Sequence, residues 1–334
     1  MAATFDKPFL DYEDMINLMI SRGIIVFNRS FAKEALSSLS YYTLVNGYKD
    51  TFLSVDGTDH FIDGTTFEEL YSLYQIDSSI NSILLKYILR IEHSLKSRVS
   101  YTVAESFGVY TDLNDTTNKN KADYLFRDNY SNSTHKRNNT LLSIKQRATS
   151  SDASDSVKYY IKKHNHVPPW ILTTTLSFGN CIYWYRILKP KQKDYVTNEF
   201  IHGPMNITDK KVFLNNCFDL LRFFRNRIAH GHKVFDLTWS GSLPVSQYLA
   251  LSSPLVTPND IAANTYSTNG LFAVVSVLLI ILDTYGKRQL SVELHSAIEP
   301  YNERNIKIAG KNIFDIFHLP DDFFDRIFNY LKAI

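Results

Sequence analysis

The chain has 334 residues, 44% hydrophobic and 14% aromatic, so it can bury the core of one large domain or two ordinary ones. Its two cysteines, Cys181 and Cys217, argue against a disulfide scaffold or a cysteine-based zinc site and favour a reducing, cytoplasmic setting. The net charge of +2 alone predicts no polyanionic partner. Residues 86–233, however, hold 24 Lys and Arg against 12 Asp and Glu, which favours nucleic-acid contact over a solvated surface of uneven composition.

The first 75 residues predict helices. Apolar side chains from Tyr12 to Met19 recur at helical spacing, and Gly23 follows where a helix-capping glycine is expected. The start of the chain lacks the basic and apolar regions of a signal peptide. Turn residues over 51–64 are compatible with a short hairpin near residues 51–62 but indicate it only weakly. Thr66, with Glu69 three residues later, then predicts a helix start.

A long helix is predicted over residues 78–107. One apolar stripe runs along it, formed by Ile80, Leu84, Tyr87, Ile88, Ile91, Leu95 and Val99. Basic residues occupy another face of the same helix and include Lys86, Arg90, His93, Lys96 and Arg98. We expect this basic face to meet a phosphate backbone if the partner is a nucleic acid.

Residues 111–167 are rich in Asn, Ser, Thr and Asp, which indicates a mobile polar insertion with short helices rather than core. His164 and His166 form an H-x-H pair, but no spaced carboxylate or cysteine completes a metal site. The aromatic helix after Pro168-Pro169 is interpreted as core packing, with base stacking as the weaker alternative.

The next predicted helix covers residues 209–229. Its buried stripe comprises Phe213, Cys217, Leu220, Leu221, Phe224 and Ile228, and Gly231 is expected just past its end. The apolar run 271–282 is shorter than the roughly 20 residues of a membrane span, so we expect a fully buried helix and no membrane partner. An acidic amphipathic tail occupies residues 291–334. The chain is therefore predicted to be all-α.

The segment "FFRNRIAHGHKVF", residues 223–235, carries the strongest chemical signal. On a helix, Arg222, Asn226 and His230 are four residues apart and form one exposed row beside the buried stripe. One interpretation is structural, because a helix C-terminus carries partial negative charge and attracts cations. On the residues alone this interpretation is the better one.

The alternative is metal-independent RNA cleavage, in which the ribose 2′-OH attacks the adjacent phosphorus and the 5′-oxygen leaves. His230 can move protons near neutral pH, and Arg225 can grip the phosphate through two hydrogen bonds. Asn226 can orient the histidine or a phosphate oxygen through its amide. Arg227 and His232 satisfy the same R-x4-H spacing. We prefer Arg225 and His230, since Asn226 follows Arg225 directly.

The motif "RNRIAH" resembles the R-N-x-x-x-H motif of the HEPN superfamily of helical ribonucleases. Three further stretches, in order, resemble the Abi-like (AbiD/AbiF-type) abortive-infection proteins of bacteria: "GIIVFNRSFAKEALSSLSYYTLVNGYKDTF", "TFEELYSLYQIDSSINSILLKYILRIEHSLKSRV" and "PPWILTTTLSFGNCIYWY". The ordered set covers roughly residues 10–290. Because of this ordered resemblance, we prefer the ribonuclease interpretation of residues 223–235 over the structural one.

The resemblance implies a HEPN-type helical bundle and a cofactor-free endoribonuclease of a toxin-type anti-phage system. The bundle would comprise residues 76–110 and 168–290, with extra helices over 1–75 and 291–334 and the polar insertion 111–167. Because such sites pair two motifs and this chain offers one, a homodimer is implied. We expect Arg225, Asn226 and His230 to be catalytic. The expected RNA contacts are Lys86, Arg90, Lys96, Arg98, Arg222, Arg227, His232 and Lys233.

Three questions stay open at this point. Where the family usually shows Arg on the long helix, this chain has Lys96, with Arg98 nearby, which weakens the expected RNA contact there. Glu92 could touch the site from the same helix, but a solvated glutamate is the favoured account. The alternative function is an RNA-binding protein that holds a structured noncoding RNA while its motif is idle, and a third is a structural protein.

Overall fold

The computed structural model describes residues 7–54, 59–133, 135–263 and 267–333. Within these residues the regular elements are helices, no strand forms, and the prediction of an all-α fold is confirmed. The α-helices are α1 (Tyr12–Ser21), α2 (Arg29–Leu39), α3 (Phe67–Phe107), α4 (Arg137–Thr149), α5 (Asp155–Lys163), α6 (Pro169–Leu172), α7 (Phe178–Ile187), α8 (Pro190–Phe200), α9 (Ile207–Ala229), α10 (Val245–Ser252), α11 (Pro258–Ala262), α12 (Leu271–Ile281), α13 (Thr284–Glu303), α14 (Ile313–Ile316) and α15 (Phe323–Ala333).

The chain divides into two compact units. Unit 1 comprises Met1–Ile83, Lys233–Asp236 and Val292–Asp322. Unit 2 comprises Leu84–His232, Leu237–Ser291 and Phe323–Ile334. The predicted division placed a core over 76–110 and 168–290, whereas unit 2 also takes in residues 111–167 and the final helix.

Unit 1 begins with α1, whose N-cap Asp11 accepts a hydrogen bond from the amide of Asp14 at 2.9 Å. Gly23, with φ +96°, follows the last turn as predicted. The predicted hairpin is reduced to one isolated antiparallel bridge between Leu53 and Phe61, and its turn, residues 55–58, lies outside the described residues. A single bridge gives no sheet on which function could be built.

Helix α3 is longer than predicted, because the helix expected to start at Thr66 and the one expected over 78–107 are continuous. The Thr66 hydroxyl accepts a hydrogen bond from the amide of Glu69, and the Glu69 carboxylate accepts one from the amide of Thr66, as predicted for a capping box. Between these segments no Gly or Pro interrupts the chain, and the buried apolar spacing continues from Leu70 to Leu84. The sequence therefore contains no signal that would end the first segment.

The core of unit 2 surrounds α12, in which all eleven side chains are buried, as expected for the apolar run 271–282. Helix α9 packs against α7, α8, α10 and α12. Among the described residues, no helix combines the length and apolar character needed to cross a membrane.

The segment predicted as a polar insertion contributes to the core of unit 2. Tyr124 and Tyr130 are fully buried, and the buried Lys145 ammonium lies 2.7 Å from the carboxylate of the equally buried Asp123. The expectation that this segment stays outside the core was wrong at these positions. Its many Asn and Asp residues misled the prediction, because several of them accept hydrogen bonds from backbone amides of their own loop and so shape an ordered segment.

The C-terminal tail ends in α15, which belongs to unit 2. Its buried face holds Phe323, Ile327 and Tyr330, and the Tyr330 hydroxyl donates to the carbonyl of Leu251 at 3.2 Å. The apolar side of this amphipathic helix therefore packs against the rest of unit 2.

Candidate active site

The candidate site is built on the last turns of α9. The six apolar residues of the predicted stripe, from Phe213 to Ile228, are all buried, which confirms the helical register. Because that stripe faces the core, the positions between its members face away from it. Arg222 and Arg225 are half-buried at the edge of the stripe, whereas Asn226 and His230 are exposed.

The end of α9 is fixed by a Schellman motif. The amide of His232 donates to the carbonyl of Arg227 at 3.1 Å, and the amide of Gly231 donates to the carbonyl of Ile228 at 2.9 Å. Gly231 has φ +76°, a conformation that glycine adopts without strain. His230 is the C-cap, so the helix ends at the histidine of the motif, as the sequence predicted.

Arg225 is held by a carboxylate that the sequence did not assign to the site. Glu92 on α3 is buried, and its Oε2 lies 3.7 Å from Arg225 Nε. The other carboxylate oxygen, Oε1, lies 2.9 Å from Lys96 Nζ. The expectation of a solvated glutamate was therefore wrong, because Glu92 is 5% exposed and its two carboxylate oxygens face Lys96 and Arg225.

This ion pair leaves groups without hydrogen bonds. Arg225 Nε and Glu92 Oε2 are both buried and, within the described residues, neither has a hydrogen-bond partner. Their charges attract, but the 3.7 Å separation is too long for a hydrogen bond. The guanidinium Nη1 of Arg225 lies 3.5 Å from Asn226 Oδ1, so one edge of the arginine faces the second residue of the motif.

The alternative pair Arg227 and His232 is also brought together, since the Schellman turn folds His232 back over the helix end. Arg227 Nη1 lies 3.5 Å from His232 Nε2, and both side chains are exposed. By contrast, within the described residues no hydrogen bond or ion pair engages the exposed His230 imidazole. The predicted catalytic group thus comprises a positioned arginine, an adjacent amide and a solvent-facing histidine.

The predicted RNA contacts on α3 are mostly engaged with protein groups. Both oxygens of Asp283 accept from Arg90 Nη2, at 3.0 and 2.8 Å. Arg98 lies 4.0 Å above the ring of Phe200, and burial lowers the pKa of its guanidinium. Lys96 pairs with Glu92, whereas Lys86 and His93 are exposed. The helix therefore offers fewer accessible cations than its sequence suggests.

The remaining predicted contact, Lys233, belongs to unit 1. Its ammonium lies 2.9 Å from Asp236 and 3.7 Å from Asp50. Two carboxylates thus already compensate its charge.

A basic cluster that the sequence analysis missed surrounds Tyr183 on α7. The charged groups of Lys136, Arg186 and Arg222 lie 5.7, 5.7 and 6.0 Å from the centroid of its ring. Asp219 bridges the two arginines, at 2.7 Å from Arg186 and 3.8 Å from Arg222. Helical periodicity could have indicated this cluster, because Tyr183 is the aromatic residue of "IYWY" that does not lie on the buried face of α7.

The structure gives little support to a cysteine nucleophile or to a metal site at His164 and His166. Both cysteines are free and buried, and burial raises the pKa of the Cys181 thiol to about 12, which disfavours a thiolate nucleophile. His164 packs its ring 4.5 Å from that of Tyr160, and His166 lies beside Asn165. Within the described ranges, no group of three or more His, Cys, Asp or Glu side chains is arranged to hold a metal ion.

A comparison with protein families matches the chain to the family described as Abi-like protein over residues 34–236. That span exceeds half of the chain and includes α9, Gly231 and the motif "RNRIAH". Searches of curated proteins and of solved structures found no match.

Proposed function

This chain belongs to the Abi-like protein family, and from that premise we propose that it is a metal-independent endoribonuclease of a bacterial anti-phage abortive-infection system. One observation carries the proposal: the R-N-x-x-x-H motif occupies a capped helix end, with Arg225 held against buried Glu92 and His230 open to solvent. The helix end is of the HEPN type in this proposal.

The reaction needs a base, an acid and a phosphate clamp. The ribose 2′-OH loses its proton and attacks the adjacent phosphorus while the bond to the 5′-oxygen breaks and that oxygen takes a proton. The products are a 2′,3′-cyclic phosphate and a 5′-hydroxyl. His230 moves the protons, Arg225 binds the phosphate oxygens that gain charge, and Asn226 orients the reacting group.

Glu92 acts through Arg225 and is a positioning residue in this scheme. A buried carboxylate beside Nε limits the rotation of the guanidinium while leaving its Nη atoms for a phosphate. Lys96 compensates the second oxygen of Glu92, which lowers the cost of burying that carboxylate.

The cluster around Tyr183 is proposed to guide the RNA backbone toward the helix end. Arg222 belongs to this cluster and lies one turn before Asn226 on α9. A tyrosine ring among three cations offers stacking as well as phosphate contacts to a single strand. We further propose that the active form is a homodimer, because the chain carries one copy of the motif.

The test is cleavage of a mixed cellular RNA pool by purified protein in EDTA. Wild type should cut the RNA and His230→Ala should not. His202→Ala is the matched control, since it removes an exposed histidine outside the motif and should retain the activity. Loss of activity in His232→Ala but not in His230→Ala would move the site to the alternative pair Arg227 and His232.

A second candidate function is an RNA-binding protein whose motif is idle. The observation that favours it is the pairing of Arg225 with Glu92, which already compensates the charge that a substrate phosphate would meet. This function predicts that one discrete RNA species co-purifies with the protein and that added RNA is not cut.

A further inference from the structure

A cavity of about 430 Å³ lies beside the candidate active site in unit 2. Residues of two elements line it, a segment of α3 and the α6 turn with the residues after it. The lining residues are His93, Lys96, Ser97, Ser100, Trp170, Thr173 and Thr174. Its volume falls within the range of about 300–1,000 Å³ that is typical of small-ligand sites.

The charge of the lining points to an anionic ligand. Lys96 contributes an ammonium and His93 an imidazole, and none of the described residues that line the cavity is Asp or Glu. The hydroxyls of Ser100 and Thr173 already donate to backbone carbonyls, which leaves their lone pairs as acceptors, whereas the Thr174 hydroxyl is bonded to both Ile171 and Ser154. The cavity thus combines cations for a phosphate with hydroxyl oxygens for polar donors.

Trp170 adds a flat apolar surface. Its side chain is 50% exposed, although a tryptophan of this size is normally buried when it serves only packing. An exposed indole among polar groups is the surface on which a nucleobase stacks. A ligand with a planar ring and an anionic group matches both features of the lining.

The cavity is connected to the proposed catalytic arginine through one residue. Lys96 lines the cavity, and its ammonium pairs with Glu92, whose other oxygen lies beside Arg225 Nε. A phosphate entering the cavity would compete with Glu92 for Lys96, and the released carboxylate would then interact more strongly with Arg225.

We propose that this cavity binds one unpaired nucleotide of the substrate RNA, with the base stacked on Trp170 and a phosphate held by His93 and Lys96. This inference rests on the proposed ribonuclease function and adds a subsite to it. It predicts that cleavage favours single-stranded positions and that base preference depends on Trp170.

The first test measures binding of a fluorescein-labelled, fully 2′-O-methylated RNA 10-mer of mixed sequence in EDTA, which has no 2′-OH to react. Trp170→Ala should weaken binding by roughly 5- to 100-fold, the loss expected for one stacked base. Trp170→Phe should bind within about threefold of wild type, since phenylalanine keeps a stacking face. Tyr159→Ala is the control, because it removes an equally exposed aromatic ring outside the cavity.

A second variant guards against a folding defect at Trp170. His93→Glu places a carboxylate at an exposed lining position and should weaken binding of the same 10-mer at least tenfold. His202→Glu makes the same substitution at an exposed histidine of the same unit outside the cavity and should bind the 10-mer within about threefold of wild type. Circular dichroism melts of each variant identify any that fail to fold.

The proposal is overturned if folded Trp170→Ala and His93→Glu bind the 10-mer as wild type does, while wild type still cuts RNA in EDTA and His230→Ala does not. The ribonuclease function would then stand without this subsite. Calorimetric titration with the four nucleoside monophosphates separates the two sources of the ligand. If monophosphates bind in a Trp170-dependent manner but the 10-mer does not, the site takes free nucleotides and the RNA assignment is wrong.

Discussion

Replacing Lys145 with methionine would remove a cation from the interior of unit 2 and leave its partner behind. The Lys145 ammonium donates to the carbonyls of Asp112 and Asp115 at 2.8 and 2.9 Å and to the Asp123 carboxylate at 2.7 Å. The side chains of Lys145 and Asp123 are only 1% and 0% exposed. Without the lysine, the Asp123 carboxylate still accepts hydrogen bonds from the amides of Asp112 and Leu125. It loses, however, the only cation paired with it among the described residues.

The expected cost follows from that burial. Removing one partner of a buried ion pair costs about 3–5 kcal/mol, because the remaining charge stays uncompensated away from water. That loss is a large fraction of the roughly 5–15 kcal/mol by which a typical protein is stable. Methionine occupies a similar volume, so the loss reflects the charge and its hydrogen bonds more than a cavity.

Urea unfolding followed by circular dichroism measures this loss. Lys158→Met is the matched control, because Lys158 is exposed on the neighbouring helix and the net charge changes equally. The control should lie within about 0.5 kcal/mol of wild type. A loss below about 1 kcal/mol for Lys145→Met would refute the conclusion that residues 111–167 pack into the core.

Three further predictions concern the site and unit 1. Glu92→Gln should reduce the rate of RNA cleavage at least tenfold with a smaller change in RNA affinity, because Arg225 loses its positioning charge; equal losses in rate and affinity would instead make Glu92 a binding residue. Gly231→Ala should destabilise the protein by about 1 kcal/mol, as φ +76° strains alanine, and thermal melts that show no loss would contradict the Schellman assignment. Burial raises the pKa of Asp77 to about 6 from 3.8, so the folded protein binds more protons than the unfolded chain between these values. Stability should therefore fall, by up to ~3 kcal/mol, as pH rises from about 4 to 6, and Asp77→Asn should lose this dependence in melts across that range.

The parts of the fold that the sequence predicted are those set by periodic burial. The stripe of α9 and the uniformly apolar α12 each specify which face meets the core, and both predictions were confirmed. The end of α9 was predictable for a related reason, since glycine at position 231 marks a left-handed residue after a helix.

What the sequence did not predict depends on which elements meet in space. Glu92 lies between Ile91 and His93 in the chain, and nothing in α3 alone indicates that Arg225 of α9 pairs with it. The loop that holds Asp115 has the composition of a solvated segment. Yet the Thr117 hydroxyl donates to the Asp115 carboxylate, as do the amides of Asn120, Thr117 and Lys119, and these hydrogen bonds lower the pKa of Asp115 to about 2. Composition alone does not distinguish a carboxylate bonded to its own loop from one bonded to water.

The most direct test of the central claim is the chemistry of the ends that the protein leaves on RNA. An RNA oligonucleotide that wild-type protein cuts in EDTA would be analysed by mass spectrometry, with His230→Ala as the control. The account predicts 2′,3′-cyclic phosphate and 5′-hydroxyl ends from wild type and no new ends from the variant. Fragments with 3′-hydroxyl and 5′-phosphate ends, or cleavage that persists in His230→Ala, would contradict a 2′-OH attack centred on the end of α9.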